Sequence, residues 1–143
     1  MKKISYLLLS LLIIAFIFGN SMMDATDSNS ESRFLTAFVQ NVLNWLGFHV
    51  PIGELHHAIR KCAHFTEYAL EAFFVAKTLT AFRVRRQTWL AYALLIGLLT
   101  AVIDENIQIY SIGRSGQVTD VLLDFSGTIV GVVMAMLISW NRR

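Results

Sequence analysis

Proline and cysteine each occur once in the 143 residues, and only 15% of the chain is charged. The lone Cys62 excludes an intrachain disulfide and a thiolate metal cluster. The scarcity of charge excludes an ordinary soluble domain, in which about 25% of residues would be charged. There is no repeat of fixed period and no low-complexity tract. Net charge is only +2, and the basic residues stand in short groups rather than along one face, so the chain lacks a nucleic-acid footprint. What is abundant is apolar surface: 55% hydrophobic residues and a mean hydropathy of +0.55 mark a membrane protein, one domain over residues 1–143.

The apolar runs predict four spans, at about residues 4–19, 59–82, 88–110 and 119–140. A cleaved signal peptide is the rival reading of the first. It is disfavoured because "FGNSMM" is a poor small-x-small cleavage site and more spans follow. Residues 20–32, "NSMMDATDSNSES", are polar and rich in helix-capping types. Beyond them Phe34, Phe38, Val42, Trp45 and Leu46 fall at helical spacing and predict an amphipathic helix over about 33–48, on the membrane surface or over the mouth of the bundle. Pro51 and Gly53 break the chain before the second span. Trp45, Trp89 and Trp140 stand near predicted boundaries, as interfacial anchors do. The expected fold is therefore an all-α integral membrane four-helix bundle with an additional extracytoplasmic amphipathic helix.

Basic clusters at Lys2 and Lys3, at Arg83, Arg85 and Arg86, and at Arg142 and Arg143 fall on one side if the spans are even in number, and the positive-inside rule makes that side the cytoplasm, with both termini there. All ten acidic residues then fall outside or in the outer halves of spans. On the second span Arg60, His64, Glu67 and Glu71 follow offsets of 4, 3 and 4 and form a stripe, with Lys61 and Tyr68 beside it. On the third, Asp104 and Gln108 are four apart and Glu105 and Gln108 three apart; on the fourth, Asp120 and Asp124 are four apart and run into Gly127 and Gly131, a small-xxx-small surface for close helix approach. A charged group facing hydrocarbon costs about 2.5 to 3.5 kcal/mol even on lenient scales, so these side chains are expected to meet inside the bundle. The loop "SIGRSGQVTD" adds Arg114 between Gly113 and Gly116, and Thr119 as an expected N-cap of the last helix. Arg60, Lys61 and Arg114 would form an anion-accepting rim, or Arg114 would only neutralise Asp120 or Glu105.

The segments "FGNSMMDATDSNSES", "RKCAHFTEYAL" and "DENIQIYSIGRSGQVTDVLLDFSGTIVG", in order and at matching spacing over about residues 16 to 131, resemble the VanZ-like membrane proteins. The matching positions are Lys61, His64, Phe65, Tyr68, Asp104, Glu105, Gln108, Gly113, Arg114, Asp120, Asp124 and Gly127; the chain departs at Asn106 and Ile112, neither of them ionisable. The resemblance implies a role in the bacterial cell membrane, lowering susceptibility to teicoplanin, a lipid-tailed glycopeptide that acts on cell-wall precursors.

Three uses of the polar residues stay open. In the first, they bind membrane lipid, a lipid-linked cell-wall precursor or the glycopeptide. In the second they catalyse: His64 serves as general base, Glu67 or Glu105 orients it, and Arg60, Lys61 and Arg114 hold a phosphate. Alternatively Asp104, Glu105, Asp120 and Asp124 hold a divalent cation through oxygen. In the third, the charges pair only to hold the helices in register. The catalytic residues of the second use are His64, Glu67, Asp104 and Glu105; Arg60, Lys61, Tyr68, Gln108, Arg114, Asp120 and Asp124 are the substrate-binding set. No signature motif assigns a metal or another cofactor, and the sequence sets no oligomeric state.

Overall fold

The computed structural model describes residues 2–23, 25–112 and 116–140, with 25–33, 139 and 140 described by backbone alone. The chain forms helices α1 (Lys2–Met22), α2 (Ala25–Trp45), α3 (Ile52–Ala81), α4 (Arg86–Tyr110) and α5 (Val118–Trp140), with no strand among the described residues. Each helix stops for a local reason. α2 ends in a Schellman turn: the Phe48 N–H reaches the Leu43 carbonyl at 2.9 Å, the Gly47 N–H reaches that of Asn44 at 3.1 Å, and Gly47 takes the left-handed φ of 85°. α3 starts after Pro51, whose carbonyl accepts the Leu55 N–H at 3.1 Å. It ends in a second Schellman turn, where Arg83, at φ 61°, fills the place that glycine usually takes, at a cost of about 1 kcal/mol.

α1, α3, α4 and α5 make the bundle; α3 packs most extensively on α5 and also against α1 and α4, while α2 lies on α3. The four run alternately up and down. At one end the Lys3 ammonium stands 5.5 Å above the Phe82 ring, beside the Arg83, Arg85 and Arg86 group. At the other, the Ser111 hydroxyl donates to the Ser21 carbonyl at 2.7 Å. Arg142 and Arg143 lie outside the described residues. The apolar core fills the basic end, where Ala72, Val75, Ala76, Trp89, Ala93, Val132 and Ala135 interlock. Trp89, expected at an interface, is 6% exposed in this core, because the small residues around it leave room for an indole.

Close approach of α5 to α3 follows from the two glycines. A methyl group at Gly127 would overlap the Phe65 carbonyl oxygen, and one at Gly131 that of Ala69. α1, α4 and residues 118–138 of α5 are long and apolar enough to cross a membrane, so the protein is multi-pass. α3 has the length, at 30 residues, but carries Arg60, Lys61, Glu67, Glu71 and Lys77 and packs against all three of those helices.

Three boundaries differ from expectation. α2 begins at Ala25, so the polar stretch is itself helical: once the apolar turns have met the cost of nucleation, residues of middling propensity extend the helix. α3 begins at Ile52 rather than near 59, since its entry is set by Pro51 and not by hydropathy. Thr119 is not the N-cap of α5. It sits in the first turn and donates to the Gln117 side chain at 3.3 Å, while the Gln117 carbonyl accepts the Asp120 N–H at 3.0 Å.

Candidate functional site

At the end of the bundle away from the basic clusters, three helices bring ionisable side chains together under the α4–α5 turn. Asp104, on α4, is wholly buried. The Ser21 hydroxyl of α1 donates to its Oδ1, and Gln108, one turn further along α4, donates from Nε2 to its Oδ2 at 3.1 Å. Asp124, on α5, is 1% exposed, and neither of its carboxylate oxygens has a hydrogen-bond partner among the described residues. His64, on α3, completes the group: one ring nitrogen and one oxygen from each aspartate lie within 4.8 Å of one another.

A small cavity of about 40 Å³ opens beside them, lined by Arg60, His64, Glu105, Gln108, Asp120, Leu123 and Asp124. Its wall is tied to the turn, because Glu105 accepts the Gln117 backbone N–H at 2.7 Å. At the mouth Lys61 pairs with Asp120 at 3.2 Å, both side chains remaining about a third exposed (39% and 31%). Tyr68 lies wholly buried on α3 with its hydroxyl facing Asp104.

The predicted site residues thus gather, apart from two. Glu67 lines the groove between α2 and α3 rather than this cavity. The three-residue offset turns it part of the way round α3, toward Asn20 of α1 and an apolar groove between α2 and α3. Arg114, with Gly113, lies outside the described residues. Glu71, the last member of the α3 stripe, is wholly buried one turn below the others, where its Oε1 accepts the Thr100 hydroxyl at 2.7 Å. Ser21 and Thr100 are the partners that sequence reasoning missed. A hydroxyl in an apolar helix ordinarily bonds back to its own turn, and these two also stand within reach of such a carbonyl, Ser21 of Ile17 at 3.1 Å and Thr100 of Ile96 at 3.0 Å, so their spacing carries no signal of a second partner.

The groove between α2 and α3 is much larger, about 600 Å³, and its walls are apolar side chains such as Leu35, Leu55, Ile59, Ala63 and Leu70, with Glu67 at its edge. Above it α2 leaves Phe34 and Trp45 each 84% exposed, and Phe38 60%. The apolar groove and the polar cavity thus both draw wall residues from α3, Ile59 and Ala63 for the one and Arg60 and His64 for the other.

The fold, with the half-buried histidine and the buried carboxylates, defines a multi-pass helical membrane protein with a polar centre at one end. The family model for VanZ/LLP1 matches residues 6–139, nearly the whole chain and every side chain of the centre, and the protein belongs to that family. No curated protein and no solved structure matches it.

Proposed function

We propose that the protein lowers susceptibility to teicoplanin at the outer leaflet of a bacterial cell membrane, by engaging a lipid-linked cell-wall precursor, the membrane surface or the drug through the polar centre. The observation that carries this reading is the pairing of the apolar groove with the polar centre on one helix: Ile59 lines the groove and the next residue, Arg60, lines the polar cavity, so an acyl chain along Leu35, Leu55 and Ile59 would carry its head toward Arg60. Family membership supports the drug class. The exposed aromatic row of α2 supports contact with the membrane surface. In this reading residues 1–143 act as one VanZ-like domain with both termini cytoplasmic, as the basic clusters at one end of the bundle favour.

The test is the inhibitory concentration of teicoplanin in a susceptible host, with vancomycin as the comparator without a lipid tail. Wild type, His64→Ala, Glu105→Gln, Arg114→Ala and a groove-filling Ala63→Trp are compared at matched membrane levels. Protection against teicoplanin alone, lost in the variants, is the expected result. No protection by wild type, or equal protection by every variant, sinks the reading.

A second reading, a membrane enzyme acting on a lipid-linked phosphate or acyl substrate, is favoured by one observation: His64, Glu105 and Arg60 line the same cavity, which places a base, a carboxylate and an anion-holding cation around one space. Turnover of a labelled lipid-linked substrate that disappears in His64→Ala separates it from the first.

A further inference from the structure

We propose that His64, Asp104 and Asp124 bind a divalent transition-metal ion, of the zinc or manganese kind, inside the bundle. Three observations converge on it. First, the three donors come from three different helices, α3, α4 and α5, yet their ligand atoms lie within 4.8 Å of one another. Around an ion with bonds of about 2.0 to 2.2 Å, tetrahedral ligands stand ~3.4 Å apart, so small side-chain rotations close the site.

Second, Asp124 is 1% exposed and both its oxygens are unpartnered among the described residues, while it lines the cavity that His64 also lines. A buried carboxylate in that condition is strongly unfavourable unless a cation or a proton joins it. At the mouth Lys61 is engaged with Asp120.

Third, Asp104 is held as a metal-binding carboxylate is commonly held, by outer partners that fix its orientation: Ser21 on one oxygen and Gln108 on the other. One imidazole and two carboxylates suit zinc or manganese better than magnesium, which prefers oxygen alone. The cavity has room for a water beside the ion. The inference does not depend on the proposed drug response, since its readout needs no drug.

The test uses the full chain, purified in detergent, stripped with a chelator, and then equilibrated separately with Zn²⁺, Mn²⁺ or Mg²⁺ before desalting and elemental analysis. Co²⁺ loading adds a visible ligand-field spectrum that reports the coordination directly. Wild type is expected to retain Zn²⁺ or Mn²⁺ stoichiometrically. Asp124→Asn and His64→Gln are expected to lose the ion and the cobalt spectrum, and Ser21→Ala to weaken affinity about tenfold to a hundredfold through the loosened Asp104. Glu54→Gln, in the exposed first turn of α3, should change nothing. Asp124→Asn preserves shape and removes an unpaired charge, so the bundle is expected to fold; a monodisperse elution profile checks this. No stoichiometric uptake by wild type, preference for Mg²⁺, retention by Asp124→Asn, or equal loss in Glu54→Gln each overturns the assignment.

Discussion

Replacing Gly131 by alanine tests the packing that brings α5 to the site. The added methyl carbon would lie 2.9 Å from the Ala69 carbonyl carbon and nearer still to its oxygen, where ordinary contact begins at 3.4 Å. That carbonyl belongs to α3 itself and cannot swing aside as a side chain could. The two helices must part, and overpacking of this kind costs about 1 to 3 kcal/mol; with backbone as the obstacle the upper half of that range applies. Gly53→Ala is the matched control. Nothing stands within 4 Å of its added carbon, and alanine inside a helix is favoured over glycine by about 0.5 to 1 kcal/mol. Thermal unfolding of the purified proteins in one detergent, followed by circular dichroism, should therefore place Gly131→Ala several degrees below wild type and Gly53→Ala at or slightly above it. If Gly131→Ala melts with wild type, α5 does not approach α3 as described, and the convergence of Asp124 with His64 loses its basis.

Removing the Thr100 hydroxyl as Thr100→Val leaves the wholly buried Glu71 without its partner and should cost about 1 to 3 kcal/mol, measured by the same melts. Adding Glu71→Gln should recover part of that loss, and strictly additive effects in the double variant would refute the coupling. Lys61→Met, by contrast, breaks an ion pair whose side chains are 39% and 31% exposed, so stability should change by less than about 1 kcal/mol and the residual effect should shrink in high salt. A loss several times larger would mean that the pair is more deeply enclosed than its exposure indicates.

Hydropathy made the four bundle helices legible, and helical spacing singled out most of the centre: Asp104 with Gln108, and Asp120 with Asp124, meet as their four-residue offsets require. The two glycines of α5 were readable as a close-approach surface, although not the helix they would meet. What pattern could not reach was pairing between elements distant in the chain. Glu67 shares the α3 stripe in the sequence, yet only the position of α1 brings Asn20 within its reach. Ser21 sits at the frayed edge of an apolar run and becomes a partner of Asp104 only because α1 and α4 end at the same level. The start of α3 escaped for the opposite reason, since Pro51 fixes it outside the apolar segment that hydropathy detects.

The order in which these partners leave the ribosome gives the Ser21–Asp104 contact a meaning for biogenesis. α4, which carries Asp104, emerges from the ribosome ahead of α5, which carries Asp124, and ahead of the Gln117 amide that donates to Glu105. By then α1 and α3 are already synthesised, so Ser21, His64 and the α4-borne Gln108 are in place to receive Asp104. Each later carboxylate thus arrives at a berth that earlier helices have prepared, and a chain halted after residue 112 should retain an α1–α4 association that Ser21→Ala weakens.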